Sequence, residues 1–359
     1  MRMPVVFSPE HVTHRVDTGS WVGVAIPTEE VAERLDAIMR AMVKSGRAVV
    51  APTSHDDTVL KSVHQPGMVE YMRTAHRAWL DWGYSDDPGQ PDVTAYAFPI
   101  ASMLGSLPLR LPVSPGALAG VYAMDTMTPI GEGTFEAARA AVDVAQSAAD
   151  IVAEHREAAY AACRPPGHHA GSSFFGGSCY LNNAAAAAES LIGAGLGKVG
   201  VIDIDAHHGN GTQEIFYSRA DVAYSSIHVD PGAGWFPHFV GYADETGTGP
   251  GEGFNCNRPL SPGTGDSEWL DGLDRLLDFV TAVRADALVV SLGVDAAESD
   301  PESPLRVSES GYGEAGIRIG SLGLPTVFVQ EGGYVVETIG DLVGSTLDGF
   351  ESAWKEKSD

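Results

Sequence analysis

Four short segments of this sequence carry the polar residue types that metal-assisted hydrolysis requires. Each segment follows an apolar run, and together they hold His168-His169, Asp205 with His207, Asp295 and Tyr334. Short apolar runs of this kind predict buried strands, and ligands bind beyond the carboxyl ends of strands in open α/β sheets. We therefore expect the four segments to meet at one edge of a sheet.

The residue types predict a metal centre at that edge. Asp205 and His207 are two residues apart, so an extended backbone turns both side chains to the same side. Asp295 follows another strand and supplies a third ligand. Three protein ligands leave an open position, as a catalytic metal requires. The donor set suits Zn²⁺ and would also accept Fe²⁺, Co²⁺ or Mn²⁺.

The remaining polar residues predict the chemistry around the metal. One imidazole of His168-His169 can take a proton from the attacking water and return it to the leaving amine, while the other holds charge. Asp203 and Asn210 are candidates for setting the histidine tautomers. Tyr334 follows two glycines and can donate its hydroxyl to a developing oxyanion. The pattern predicts hydrolysis of an amide.

The elements that position these residues alternate between apolar runs and amphipathic segments, which predicts one α/β domain over 1–359 with a mostly parallel sheet between helices. The predicted strands are Val5–Ser8, Val49–Pro52, Ala158–Cys163, Val199–Ile204, Val222–His228, Ala287–Leu292 and Thr326–Gln330. The predicted helices are Glu29–Val43, Phe135–His155, Asn182–Ile192, Asp266–Val283, Glu309–Ser321 and Ile339–Trp354.

Two stretches lack a clear period. Residues 81–120 are rich in Pro and Gly and read as a loop insertion, which inside a compact domain is usually functional or an oligomer contact. Residues 246–265, also rich in Gly and Pro, resemble a second long surface loop.

The composition limits the kinds of partner that the protein can bind. A formal net charge of −26 repels nucleic acid and anionic membranes and favours a cationic small substrate. The three cysteines, Cys163, Cys179 and Cys256, have no spacing typical of disulfide frameworks or cysteine-rich zinc sites. We find neither a signal peptide nor an apolar run of about 18 residues, so we expect a cytoplasmic protein with no membrane partner.

Several segments resemble a known family. These are RPPGHHA (164–170), GSCYLNNAA (177–185), VIDIDAHHGNGTQEIFY (201–217), HVDPGAGWFPHFVGYADETG (228–247), SLGVDAAESDP (291–301) and EGGY (331–334). They are similar to histone-deacetylase-like amidohydrolases of the arginase/deacetylase superfamily, in particular the bacterial acetylpolyamine amidohydrolases. The resemblance runs over nearly the whole chain in the expected order.

The resemblance implies a parallel sheet of about eight strands and a zinc ion on the Asp–His–Asp set named above. It places the general base–acid on His169, its electrostatic partner on His168 and the oxyanion donor on Tyr334. It also implies a structural K⁺ ion, held by Asp203, Asp205, His207, Ser226 and Ile227. A second such ion would use carbonyls near Phe216, Arg219 and Val222. The 81–120 loop would form a homodimer.

The implied substrate tunnel departs from the family at one wall. Its residues would be Gly177, Ser178, Phe236, Gly332 and Gly333. The family usually has Phe or Tyr where Ser178 stands, so the serine opens the wall and permits a bulkier substrate unless an aromatic such as Trp235 fills the gap. Asn210 replaces the Asp of eukaryotic-type enzymes, as it does in the bacterial amidohydrolases.

Several alternatives remain beside a small acylated amine such as an acetylpolyamine. Acyl-lysine peptides or a bulkier acylated amine would fit the opened wall. A catalytically silent acyl-amine-binding protein would keep the fold. A two-manganese ureohydrolase is disfavoured because Gly209 stands where it needs a further Asp. A distal ammonium of the substrate would meet acids such as Asp125, Glu132, Asp86 or Asp87.

Overall fold

The core of the protein is one eight-stranded parallel sheet. The computed structural model describes residues 2–16 and 18–358, without the side chains of 355–358. The strands of the described residues are β1 Val5–Phe7, β2 Thr18–Trp21, β3 Val24–Pro27, β4 Val49–Val50, β5 Ala158–Ala162, β6 Val199–Asp203, β7 Val222–Val229, β8 Asn255–Leu260, β9 Ala287–Leu292 and β10 Thr326–Gln330. The predicted single α/β domain is confirmed.

The sheet order is β4-β1-β5-β10-β9-β6-β7-β8, with every neighbouring pair parallel. Strands β5, β6, β9 and β10 are buried along their whole length. Helices cover both faces of a parallel sheet, which is why these strands read as continuous apolar runs. All carboxyl ends lie at one edge of the sheet.

Helices of the described residues pack on both faces of the sheet. They are α1 Ala32–Lys44, α2 Thr58–Val63, α3 Pro66–Trp82, α4 Ala101–Leu104, α5 Pro115–Tyr122, α6 Thr134–His155, α7 Asn183–Gly193, α8 Asn210–Phe216, α9 Asp266–Ala282, α10 Glu309–Gly320 and α11 Ile339–Ser358. One face buries α1, α9, α10 and α11, and the other buries α6 and α7. In the described part of the chain, no helix is both long and apolar enough to cross a bilayer.

All seven predicted strands and six predicted helices are present, with ends that differ by a few residues. The prediction of a long surface loop at 246–265 is wrong, because Asn255–Leu260 forms edge strand β8 beside β7. The alternation in β8 is interrupted by Arg258 and Pro259, which a sheet edge accepts. Within 81–120, the two short helices α4 and α5 interrupt the loop.

Besides β8, α4 and α5, the elements outside the predictions are helices α2, α3 and α8 and the hairpin of β2 and β3. The two strands of the hairpin pair Thr18 with Pro27 through Trp21 with Val24. Val22 and Gly23 both have positive φ, 50° and 78°, as a two-residue hairpin turn requires. This hairpin supplies one wall of the cavity described below.

Candidate active site

The predicted metal ligands converge at the carboxyl edge of the sheet. Asp205 and His207 follow β6, Asp295 follows β9, and their ligand atoms all lie within 4.8 Å of one another. His207 Nδ1 is 2.9 Å from Asp295 Oδ2 and 3.4 Å from Asp205 Oδ1. Both carboxylates are completely buried. The three side chains therefore form one compact donor set.

The charge balance of this donor set fits a divalent cation. Two buried carboxylates facing each other are costly unless positive charge lies between them. Burial alone lowers the pKa of His207, but the hydrogen bonds and charges of Asp205 and Asp295 raise it well above its ordinary value. The site thus draws positive charge onto the imidazole, and its mixed oxygen and nitrogen donors are those that zinc and similar metals accept.

Backbone groups hold each of the three ligands. Asp295 Oδ1 accepts the N–H of Ala206 at 2.8 Å, and Asp205 Oδ2 accepts the N–H of Gly332 at 2.8 Å. His207 Nε2 lies 3.1 Å from the carbonyl oxygen of Glu302, to which it donates. This bond leaves Nδ1 as the ligand atom and fixes the ring, as outer contacts of metal-binding histidines usually do.

Gly332 must be a glycine because the backbone after β10 passes directly over the carboxylates. A Cβ at this position would lie 2.6 Å from Asp205 Oδ2 and 2.6 Å from Asp295 Oδ2. The close approach brings the next residues, Gly333 and Tyr334, to the metal ligands. Gly332 and Gly333 are not among the residues that line the cavity described below.

The two adjacent histidines have different partners. His168 Nδ1 lies 3.1 Å from Asp203 Oδ2, and His169 Nδ1 lies 2.7 Å from Asn210 Oδ1. Because an amide oxygen only accepts, His169 carries its proton on Nδ1 and leaves Nε2 free. The predicted partners Asp203 and Asn210 are thus both in contact with the histidines.

These surroundings move the two pKa values apart. Burial lowers the pKa of His168, but the carboxylates of Asp205 and Asp203 outweigh it and raise the pKa to about 10. Burial lowers the pKa of His169 well below its ordinary value, and the neighbouring His168 and His207 lower it further. At neutral pH, His168 therefore carries charge and His169 is a neutral base.

Asp300 and Arg34 hold the backbone and the ring of Tyr334 in place. Its N–H donates to Asp300 Oδ2 at 2.7 Å, and the guanidinium of Arg34 lies 4.7 Å from the ring centroid. Arg34 also donates to the carbonyls of Gly333 and Glu331. Burial raises the pKa of the Tyr334 phenol well above its ordinary value, so the hydroxyl remains a donor.

A cavity of about 470 Å³ opens above these groups. His169, His207 and Tyr334 border it below, and Trp21 and Ile26 of the hairpin border it on one side. The predicted tunnel residues Gly177, Ser178 and Phe236 also line it, as does Trp235. A substrate carbonyl that reaches the histidines and the tyrosine therefore enters through this cavity.

At Gly177 the wall of the cavity passes so close to His169 that no larger residue fits. A Cβ there would lie 2.3 Å from His169 Cδ2, and the residue has a φ of +55°. Phe236 stacks edge-on against His169, with ring centroids 4.8 Å apart. Ser178 faces the same cavity with only a hydroxymethyl group, so its wall lacks an aromatic ring.

The residues predicted to hold a monovalent cation lie on β6 and β7 and in the segment after β6 that also carries two of the metal ligands. Asp203 on β6 pairs in register with Ser226 on β7, and both are completely buried, as is Ile227. Asp203 Oδ2 accepts the Tyr224 hydroxyl at 3.1 Å, and Ser226 Oγ lies 2.8 Å from His228 Nδ1. The register therefore puts buried Asp203 and Ser226 next to each other on adjacent strands.

A second group of possible metal ligands consists of His168, Cys179 and Glu331. Its carboxylate already has protein partners, since Glu331 Oε2 accepts the N–H of Gly167 at 2.7 Å and of His168 at 3.1 Å. Burial raises the pKa of the Cys179 thiol well above its ordinary value, which disfavours the metal-binding thiolate. This group is explained without an ion.

The fold and the site together define a deacetylase. The Histone deacetylase domain family matches residues 28–350, and the chain belongs to this family. Members of the family generally use a metal ion, in keeping with the Asp–His–Asp donor set. The protein is accordingly a hydrolytic deacetylase, as the sequence predicts.

The relatives narrow the class further. The chain is 41% identical to the acetylpolyamine amidohydrolase of Mycoplana ramosa, over 97% of this chain and 99% of the relative. It is 39% identical to acetylpolyamine amidohydrolase 2 of Pseudomonas aeruginosa, with coverage of 97% and 99%. A crystal structure of acetylpolyamine aminohydrolase from Burkholderia pseudomallei superposes with a TM-score of 0.90 at 37% identity, covering 98% of this chain and 99% of that one. The predicted resemblance to this group is confirmed.

Among the residues at the site that the sequence predictions lack are three acids. Glu29 and Glu302 line the cavity, and Asp300 holds Tyr334. Burial raises the pKa of Glu302, and the nearby charge of Glu29 raises it further against the opposing effect of His207. Of the acids predicted to meet a distal ammonium, Asp125 borders a neighbouring cavity, while Glu132, Asp86 and Asp87 line neither cavity.

Proposed function

We propose that this deacetylase is zinc-dependent and hydrolyses the amide of a small acylated amine, most simply an acetylated polyamine. The observation that carries the proposal is the convergence of the Asp205–His207–Asp295 donor set, neutral His169 and Tyr334 beneath one cavity. The names of the relatives support the substrate class. Fe²⁺, Co²⁺ and Mn²⁺ suit the same donors.

Asp205, His207 and Asp295 would hold the divalent cation, which would supply Lewis-acid chemistry for polarising a carbonyl and lowering the pKa of water. His169 accepts the proton of the attacking water at Nε2 and returns it to the leaving amine. Charged His168 stabilises the negative charge that develops beside it. The Tyr334 hydroxyl donates to the carbonyl oxygen as that oxygen becomes an anion.

A structural K⁺ ion beneath this site is part of the proposal. Hard monovalent cations prefer oxygen ligands, and the buried Asp203 carboxylate and Ser226 hydroxyl supply two. Carbonyls of Asp205, His207 and Ile227 would complete the shell. The second K⁺ site would use carbonyls near Phe216, Arg219 and Val222.

Turnover of a substrate panel by the zinc-loaded protein tests the proposed function. The panel holds N-acetylputrescine, N-acetylcadaverine, N-acetylspermidine and acetyl-lysine peptides, with acetate release as the readout. Hydrolysis of the acetylated polyamines with higher kcat/KM than of the peptides supports the proposal. A preference for the peptides favours the acyl-lysine alternative. No hydrolysis of any amide by the metal-loaded protein would identify a silent binding protein.

The Ser178 wall predicts an effect of acyl size. Replacing Ser178 by Tyr restores an aromatic ring opposite Phe236 and narrows the cavity. We expect kcat/KM for a benzoyl or butyryl amine to fall about tenfold or more relative to the acetyl amine, because a few methylene groups in a pocket are worth this much. Ser178→Ala, which leaves the wall without a ring, is the control and should keep the wild-type acyl preference. An unchanged acyl preference in Ser178→Tyr would show that Trp235 already closes the gap.

We propose a homodimer formed through the 81–120 loop. Leu107, Leu111 and Val113 of this loop are exposed, at 69%, 61% and 85%, together with Tyr96, Ile100 and Met103. Contiguous exposed apolar residues of this kind mark association surfaces. We expect Leu107→Glu with Val113→Glu to convert a dimer into a monomer in sedimentation experiments. Val43→Glu, which replaces an exposed apolar residue of α1, is the control and should leave the dimer intact.

A further inference from the structure

Two glutamates on the wall of the active-site cavity have no Lys or Arg partner in the part of the chain that the structure describes. Glu29 lies just before α1, and Glu302 lies in the loop after β9; both line the cavity. In the described residues, neither carboxylate forms an ion pair with Lys or Arg. No Lys or Arg is among the described residues that line this cavity. The wall therefore presents two carboxylates that lack a Lys or Arg counter-charge to a bound molecule.

The backbone of Glu302 is fixed relative to the reacting groups. Its N–H donates to Asp300 Oδ1 at 3.1 Å, and Asp300 also accepts the N–H of Tyr334. Its carbonyl accepts from His207 Nε2 at 3.1 Å. Glu302 thus stands between the residue that anchors the tyrosine and a metal ligand, which sets the distance of its side chain from the amide.

A third carboxylate of the cavity has an unsatisfied oxygen. Glu30 is only 3% exposed, and its Oε1 accepts from Arg34 at 2.7 Å and from Arg164 at 3.0 Å. Its Oε2 has no hydrogen-bond donor among the described residues, and His14 Nε2 lies 3.6 Å away. The charge of Glu30 is already balanced by Arg34 and Arg164, so Glu29 and Glu302 are the carboxylates of this wall that lack a cationic side chain of Lys or Arg.

From these contacts we infer that Glu29 and Glu302 bind the distal ammonium group of the substrate. The inference rests on the proposed function and names its substrate class: acylated diamines and polyamines, in preference to acyl amines with a neutral far end. An ammonium supplies positive charge and three donors to carboxylates that have neither. The net charge of −26 also attracts such cations toward the cavity.

The test compares two amides that differ only in this charge: N-acetylcadaverine and N-hexylacetamide, in which a methyl group replaces the ammonium. The variants are Glu29→Gln and the double variant with Glu302→Gln. We expect the ratio of kcat/KM for the charged over the neutral amide to fall about tenfold or more in the double variant, since hydrogen bonds to charged groups are worth this much. The matched control removes two exposed charges elsewhere, Asp341→Asn with Glu154→Gln, and should leave the ratio unchanged.

Calorimetric binding of pentane-1,5-diamine separates this inference from the proposed function. We expect the wild-type protein to bind the diamine and Glu29→Gln to bind it more weakly; Glu29 is exposed, so this variant does not depend on refolding a buried site. Diamine binding without hydrolysis of either amide would contradict the proposed function and leave the inference standing. No diamine binding by the wild type, or a ratio that the double variant leaves unchanged, would overturn the inference.

Discussion

Replacing Asp295 by Ala is expected to abolish deacetylation, with kcat/KM lower by about 10³-fold or more. A Lewis acid contributes several kcal/mol to amide hydrolysis, and each ~1.4 kcal/mol corresponds to a factor of ten in rate. Asp295 supplies one of three ligands and is completely buried. Its loss also removes the acceptor for the Ala206 N–H. We expect the metal content of the purified variant, measured by mass spectrometry, to fall in parallel.

A second variant separates the lost ligand charge from the lost hydrogen bond. Asp295→Asn retains an oxygen that accepts the Ala206 N–H but carries no charge. We expect it to bind metal weakly and to regain part of its activity at high zinc concentration. Asp341→Ala, which removes an exposed carboxylate of α11, is the control and should retain metal and activity. Full activity of metal-free Asp295→Ala would refute a metal-dependent mechanism.

Replacing Tyr334 by Phe is expected to lower kcat by about 10²–10³-fold, the usual cost of removing one oxyanion donor. The donor acts mainly as the carbonyl oxygen becomes an anion, so we expect KM to change much less than kcat. The phenylalanine ring keeps its contact with Arg34, and the backbone bond to Asp300 does not involve the side chain. The metal content should therefore stay at the wild-type value.

The control for Tyr334→Phe is Tyr71→Phe. Tyr71 is buried against Tyr122, and its hydroxyl has no hydrogen-bond partner among the described residues. Removing this hydroxyl breaks no hydrogen bond, and Tyr71 does not line the active-site cavity. We expect unchanged kinetics from Tyr71→Phe. A Tyr334→Phe enzyme with wild-type kcat would show that the metal and His168 stabilise the anion without the tyrosine.

The ligands of the donor set were predictable because short-range rules govern them. Asp205, His207 and Asp295 directly follow buried apolar runs, and parallel strands bring their carboxyl ends to one edge. No comparable rule covers Glu29 or Glu302. Each lies in a loop whose path depends on distant packing, so only the folded chain shows that both reach the same cavity.

The sequence analysis failed to predict some elements for similar physical reasons. Strand β8 combines Asn, Arg and Pro, which an interior strand would reject, and it forms only because β7 offers an open edge. Hairpin β2–β3 is exposed along much of its length. Its sequence therefore lacks the alternation of apolar and polar residues that identifies a half-buried strand. Its one local signal is the turn at Val22-Gly23.

The position of β10 has a consequence for how the protein is synthesised. This strand is the last of the sheet in sequence but lies between β5 and β9. Until Thr326–Gln330 leaves the ribosome, the nascent chain holds two separate groups of strands with open inner edges. The same final segment delivers Gly332 to the carboxylates and Tyr334 to the cavity. Closure of the sheet and completion of the active site therefore depend on the same late segment of the chain.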